Sequence, residues 1–505
     1  MKKILLVNPY FNGWVTVPSL GLGFIATYVR NNTSCSVEVV EPTLQGLKRE
    51  EVLDKVRSID FLGITCYSES RFSCFEFAQK AKEINPSCIV IVGGPHVLDL
   101  DEQILQHYSF IDCVVRGEGE EAMLAIIIGE PLDEIKGISF RKNGKLIRNP
   151  DKDLSAQIER FKLDYSFYSP WLTKWKDIEV PDYLKGVIHI PITASRGCPF
   201  RCTFCVANRQ WGGKWRAVAP EVLVDRLKLL VERYQAGYFR FYDSLFTCDN
   251  DWVLRLCELL EKENLPIHFR IDIRAGTPRY ILERLRKVGC DIVGFGIESG
   301  SDEILANIHK KTSARIVEET VHMCRDLGFW VIGFFMISLP GETIHDYRQT
   351  FRLFKLFDVL NLQFFKIFPS TSSYDELKIN GRIDDARWFD NGYGFDREGG
   401  KQVFYCKELF PEAYFYYEEV IRLMAYSLEL TEAGKKKNPP DKVIIRMASL
   451  LRSSVLRLLF RNFLLLRVAV AFKEWYLLRK LRYLLRSLGS IVNNEARSYN
   501  SREIP

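Results

Sequence analysis

Short apolar runs separated by amphipathic stretches fill the first 130 residues. Residues 3–8 (KILLVN), 37–40 (VEVV), 61–65 (FLGIT), 88–92 (CIVIV) and 111–115 (IDCVV) are nearly continuous in apolar character, the mark of strands covered on both faces. Between them, 20–31, 49–57, 71–84 and 101–107 repeat apolar positions at helical spacing. Strand–helix alternation at this interval predicts a parallel, doubly wound sheet of flavodoxin-like (Rossmann-like) order, with ligands bound beyond the carboxyl ends of its strands. Four polar or glycine-rich loops fall at those ends: Asn8-Pro9, CYSES (66–70), GGPH (93–96) and RGEGE (116–120). Any one of them is an ordinary turn; four on one edge indicate a binding site.

GISFRKNGKLIRN (137–149) reads as a hairpin turning at Asn143-Gly144. Residues 150–185, rich in aromatics and prolines, read as a connector. A second alternating region follows, with strands expected at 187–194, 238–242, 267–271, 291–297, 330–337 and 362–367. Its helices are expected at 220–234, 249–263, 279–287, 302–307, 313–327 and 343–358. Six strand–helix units in this length suit a barrel or a partial (β/α)6 barrel, whose chemistry sits at the carboxyl ends of its strands. Residues 370–434 carry less pattern, GKKKNPPDK (434–442) reads as a linker, and 442–490 is rich in Leu and Arg. The expected divisions are 1–135, 136–185, 186–375, a helical extension over 376–434 and a basic amphipathic helical tail over 435–505.

Composition changes this picture in two places. The net charge is +6, but from Lys435 onward there are 16 Lys and Arg against 4 Asp and Glu, so the tail carries +12 and the first 434 residues −6. Residues 442–490 hold eleven basic residues and one acid, Glu474. The uncharged stretches between them fall short of the roughly 20 residues of a spanning helix. The tail suits either an interfacial helix on anionic lipid or a cap on the acidic body; no stacking pattern suggests nucleic acid. The 13 cysteines are an odd, scattered set with no secretory start before them. That implies a reducing, cytoplasmic compartment, with peripheral contact at the inner membrane face as the tail's option.

The densest chemistry is SRGCPFRCTFCVANRQWGGKWR (195–216), with Cys198, Cys202 and Cys205 within eight residues. A structural zinc site wants four ligands, usually as two separated pairs, and a ferredoxin run wants a fourth cysteine. Three thiolates on one tight loop hold three corners of a 4Fe–4S cluster and leave one iron open to bind a substrate. The spacing Cys-x3-Cys-x-aromatic-Cys, placed after the first strand of an α/β region, resembles the radical S-adenosylmethionine (radical SAM) enzymes. FRFYDSLFT (239–247), FRIDIRAG (269–276), GFGIESGSDEIL (294–305), GFFMISLPGET (333–343) and FFKIFPSTSSY (364–374) resemble that family's later strands. Ser244 replaces the second of a usual aspartate pair, and Pro369-Ser370-Thr371 departs from the usual Pro-Gly-Thr. The resemblance implies cluster ligands Cys198, Cys202 and Cys205. It also implies SAM contacts from Phe204, Asp243, Arg270, Glu298 and Ser299, with Arg270 at the barrel mouth or rim.

The first region resembles the cobalamin-binding domain fused ahead of many radical SAM proteins. The two resemblances together cover residues 1–130 and 186–375. They imply cobalamin contacts at Asn8, Tyr67, Ser68, Gly93, Gly94, His96, Gly117 and Glu118. The chain lacks the Asp-x-His-x-x-Gly motif that supplies a lower-face histidine to cobalt, so cobalamin without a histidine ligand is implied. The whole is similar to the cobalamin-dependent (class B) radical SAM methyltransferases and to the anaerobic magnesium-protoporphyrin ester cyclase type. The activity implied is methylation of an unactivated carbon, through a 5′-deoxyadenosyl radical and methylcobalamin. An oxidative cyclisation with the same cofactors is the first alternative, and a non-catalytic cobalamin-binding sensor or scaffold the second. The implied partners are a small-molecule or lipid-like substrate and a flavodoxin- or ferredoxin-type electron donor.

Overall fold

The computed structural model describes residues 1–389 except 10–16, 170, 173–174, 178, 338 and 384. Of the expected helical extension over 376–434, only residues up to 389 are described, and they hold the end of the helix Ser372–Ile379 and a 3₁₀ turn, Asp385–Trp388; the linker over 434–442 and the basic tail lie entirely outside the described residues.

The first sheet holds β1 (Lys3–Val7), β2 (Ser36–Val40), β3 (Phe61–Thr65), β4 (Ile89–Gly93), β5 (Cys113–Val115), β6 (Ile138–Lys142) and β7 (Lys145–Arg148), in the order β2-β1-β3-β4-β5-β6-β7. Its first five strands are parallel, in flavodoxin-like order, and the hairpin β6–β7 extends the β5 edge antiparallel. Asn143 (φ 51°) and Gly144 (φ 74°) make the hairpin turn, where positive φ suits both residue types. The helix Glu120–Ile128 was not anticipated, because EEAMLAIII lacks a polar face in its second half. It packs beside the helix Leu20–Asn32.

Two short strands, β9 (Ser195–Arg196) and β10 (Arg216–Ala217), pair antiparallel around the cysteine loop. The second sheet holds β8 (Ile188–Ile192), β11 (Ala236–Phe241), β12 (His268–Ile273), β13 (Cys290–Glu298), β14 (Trp330–Ile337) and β15 (Val359–Phe364), all parallel and in sequential order. It is an open half-barrel. β15 starts three residues before its expected position, and the expected helix over 343–358 is an α-helix only over Ile344–Leu353 before tightening to a 3₁₀ turn.

The connector is structural. Tyr168 donates its hydroxyl to Ser19 O at 2.8 Å and Tyr165 donates to Pro191 O at 2.7 Å, so it is pinned to both regions. Further on, Val180 and Leu184 pack with Tyr238, Ile292, Ile332 and Val359, which are early residues of their strands. The chain therefore closes the amino-terminal end of the half-barrel and leaves its carboxyl end for chemistry. Among the described residues no helix is long and apolar enough to cross a membrane.

Candidate functional site

The cysteine loop leaves β9 through Gly197, whose φ of 93° lies in the left-handed region. A Cβ there would sit 2.0 Å from Lys214 O, so only glycine lets the loop turn under β10. The Gly197→Ala protein is expected to lose most of its iron after reconstitution although all three thiols remain; iron analysis beside wild type checks this.

Cys198, Cys202 and Cys205 are half-buried. The loop is tied down by Thr203 N donating to Ile308 O at 3.1 Å and Ser373 N donating to Thr203 O at 3.0 Å. Burial pushes the Cys205 thiol up to about 11, and neighbouring thiols add to this. Burial raises the Cys198 thiol too, while Arg274 and Lys310 pull it back. Thiols that repel one another's ionisation beside two fixed cations suit a shared cationic inorganic group, whose charge makes the thiolate form the favoured one. Among the described residues no three His, Cys, Asp or Glu side chains converge as ligands of a single ion. A cubane spreads its thiolates over separate irons, and the loop fits that arrangement.

Around this loop the sequence-derived contacts divide. Glu298, at the end of β13 with φ 68°, is strained in a way that accompanies functional positions. Its carboxylate pairs with Lys310 Nζ at 2.7 Å, and Lys310 also lies 5.9 Å from the Phe204 ring. A Cβ on Gly296 would come 2.9 Å from that ammonium, so the glycine makes room for the pair. Phe204 and Glu298 are thus brought together beside the thiols, and Lys310 joins them from a loop that no sequence pattern marked.

Arg270 is elsewhere. It is fully buried inside the half-barrel and pairs with Glu179 at 2.7 Å and Asp177 at 3.4 Å, both from the connector. The expected mouth position belongs to Arg274, whose guanidinium lies 3.7 Å from the Phe200 ring and acts on Cys198. Residues 270, 272 and 274 alternate on one face; only the last lies past the strand's carboxyl end. Ser299 is also withdrawn: it is fully buried, its hydroxyl lies 3.2 Å from that of Thr350, and it accepts from Ser301 N. Asp243 accepts from the backbone N–H groups of Ala194 and Ser195 and from the Ser195 hydroxyl, so it anchors the chain entering the loop. Burial pushes its carboxyl up to about 7, against those hydrogen bonds.

Beyond the carboxyl ends of β1, β3, β4 and β5 lies a cavity of about 760 Å³. Asn8, Tyr67, Gly93, Gly94, Gly117 and Glu118 line it, as the loops suggested, and Arg196, Gly197, Trp211 and Tyr242 close it from the second region. A Cβ on Gly94 (φ 106°) would meet Cys66 O at 2.7 Å, whereas one on Gly117 (φ 74°) would meet nothing within 4 Å. The first glycine permits the turn and the second leaves the wall open. Asn8 is buried, and its Oδ1 has no hydrogen-bond partner among the described residues. A buried acceptor on a glycine-walled cavity suits a large ligand fringed with amides, and on this ground the residues fit cobalamin.

Ser68 and His96 do not line this cavity. His96 is 1% exposed, its Nδ1 is 2.9 Å from Ser68 Oγ, and burial, with Arg71 near, pushes it down to about 3. The 3₁₀ turn Pro95–Val97 folds it inward towards Phe75. Neither residue is placed to touch a ligand, and the structure offers no axial histidine from this loop.

Behind Asn8 sits Glu41, which no sequence pattern marked. It accepts from Asn8 Nδ2 at 2.9 Å and Ser19 N at 2.6 Å. Burial pushes its carboxyl from 4.5 up to about 7 despite those bonds. The folded chain therefore holds a proton between about pH 4.5 and 7 that the unfolded chain releases. Glu41's contribution is greatest below pH 4.5 and falls, by on the order of 3 kcal/mol, as pH rises to 7. Urea midpoints at pH 5 and 7.5 are expected to differ less in Glu41→Gln than in wild type.

Two family models match the chain. Residues 15–127 match the B12 binding domain and residues 192–354 the Radical SAM superfamily. An uncharacterized methyltransferase of Pyrococcus horikoshii is 29% identical over 403 residues, covering 77% of this chain and 86% of its own. The anaerobic magnesium-protoporphyrin IX monomethyl ester cyclase of Rubrivivax gelatinosus is 25% identical, covering 74% of this chain and 70% of its own. Among solved structures, the radical S-adenosylmethionine methyltransferase TsrM of Kitasatospora setae, with cobalamin and a 4Fe–4S cluster bound, superposes with a TM-score of 0.62. It is 18% identical and covers 75% of each chain, a likeness of fold.

Proposed function

This chain is a radical SAM enzyme with a B12-binding domain, and on that premise we propose that it methylates an unactivated carbon of a small-molecule or lipid-like substrate. One observation carries the reading: the glycine-walled cavity of the first region and the cysteine loop share a wall at Arg196 and Gly197. When bound, the 4Fe–4S cluster and SAM supply a 5′-deoxyadenosyl radical, and cobalamin supplies the methyl group. Cys198, Cys202 and Cys205 hold the cluster. Phe204, Glu298, Lys310 and Arg274, beside the thiols, would hold SAM, and the two cations suit its carboxylate. Asn8, whose Oδ1 has no hydrogen-bond partner among the described residues, would offer that acceptor to an amide of the corrin, while Tyr67, Gly93, Gly94 and Gly117 shape the cavity. Asp243 positions the loop, and the connector excludes water from below.

The electron would come from a flavodoxin- or ferredoxin-type donor. The +12 tail favours an anionic surface, which agrees with a lipid-like substrate. The cyclase among the relatives keeps a second reading open, oxidative ring formation with the same cofactors. Substrate-free enzyme, reduced anaerobically with methyl-labelled SAM, separates the two. Label recovered on the corrin supports methyl transfer. SAM cleavage with no label on the corrin favours cyclisation.

A further inference from the structure

Arg196 is the residue before the Gly197–Cys198 turn, and its side chain leaves its own domain. Its guanidinium reaches Glu118 Oε1 at 2.8 Å and Glu120 Oε1 at 2.6 Å, both on the RGEGE loop of the first region. Arg216, its β-ladder partner on β10, holds the same Glu118 at 2.9 Å. All four side chains are nearly buried, at 12% exposure or less. Two arginines face two glutamates, so the group is neutral as a unit. Burial alone would raise the Glu118 carboxyl, but Arg216 and Arg196 hold it below its usual range. The Arg196 plane also lies 5.0 Å from the Phe24 ring and 5.2 Å from that of Phe161.

Three of these residues, Glu118, Glu120 and Arg196, line the cavity. An occupant of the cavity therefore lies against the residues whose charges fix the backbone two residues before the first cluster thiol. A buried charge set tolerates few arrangements, because a carboxylate or guanidinium displaced from its partner stays desolvated and unpaired. We propose that Arg196 is a positioning residue through which the interdomain cavity and the cysteine loop set each other's geometry. Cluster assembly orders the loop, which orders Arg196 and through it the RGEGE wall, so the macrocycle meets a preformed cavity. By reciprocity, the macrocycle stabilises the loop conformation that holds the cluster. The inference rests on the cofactor reading above, and its test separates the two.

Hydroxocobalamin is titrated by absorbance into the full chain, once with the cluster reconstituted and once after iron removal. Wild type is expected to bind about tenfold more tightly with the cluster present, within the usual range of coupling. Arg196→Lys keeps the charge but cannot fork to both carboxylates, and is expected to bring the ratio within about twofold. Glu120→Gln leaves the Glu118 pairs intact and is expected to give an intermediate ratio; it decides the matter if Arg196→Lys does not fold. Loss of mere interdomain packing would weaken binding equally in both states and leave the ratio unchanged. A wild-type ratio near one, or a wild-type ratio retained in the variants, overturns the proposal. No cobalamin binding in either state instead rejects the cofactor reading itself.

Discussion

Cys202→Ala protein is expected to reconstitute with little iron and to make no 5′-deoxyadenosine from SAM under reducing, anaerobic conditions, while keeping its fold. The argument is local. Among the described residues the loop offers three thiols; Cys248, which precedes the helix Asn250–Glu263, is near enough to Cys198 to be raised by it but lies outside the loop, and Cys257 is buried in the core. Two thiolates leave two irons open, and an under-ligated cube is lost to solvent. The folding cost is small, because Cys202 is half-buried and the backbone ties of the loop run through Thr203. The checks are iron and sulfide content, chromatographic detection of 5′-deoxyadenosine, and a melting curve close to that of wild type. A variant that still cleaves SAM would remove the cluster assignment.

The second large effect is on stability. Glu179→Ala is expected to cost about 1.5–3 kcal/mol, the loss of a hydrogen bond to a buried charge, with Arg270 left to the longer contacts of Asp177 at 3.4 Å and Asp272 at 3.9 Å. Arg270 is fully buried, and Glu179 is its nearer carboxylate, at 2.7 Å against 3.4 Å for Asp177. The guanidinium is already under-satisfied, since among the described residues its Nε and Nη2 have no hydrogen-bond partner and Asp272 comes only to 3.9 Å from Nε. The double variant Glu179→Ala/Arg270→Met removes the weakly paired charge and is expected to recover much of the loss. Chemical denaturation of both proteins measures this. If Glu179→Ala unfolds at the wild-type midpoint, the connector does not hold the barrel floor.

The two sheets were legible because parallel strands covered on both faces write continuous apolar runs, and the cysteine loop because its spacing is rare. The cavity was legible as a whole: loops at carboxyl ends must meet on one edge, and Asn8, Tyr67, Gly93, Gly94, Gly117 and Glu118 do so. What failed was direction within a loop. Whether His96 faces out or in depends on the 3₁₀ turn after Gly94, and Ser299 turns away because Thr350 and Ser301 take its hydroxyl. Arg270 was named from the resemblance of FRIDIRAG, which gives the face of a strand but not the depth along it, and Arg274 was not marked. Glu41 and Lys310 left no trace, since a single charged residue becomes a site residue only through the chain that folds over it. The acids of the connector were invisible for the same reason: their partners lie 61 to 93 residues away in a sheet they plug.

The central claim is that one chain holds both an iron–sulfur cluster and cobalamin on two sides of a shared wall. The most direct test is the iron, sulfide and cobalt content, with the absorbance spectrum, of anaerobically purified and reconstituted protein. About four irons and one cobalt per chain is the predicted result. Iron without cobalt, after loading with excess cobalamin, would contradict it. The cavity would then serve another ligand, and methyl transfer through cobalamin would fall.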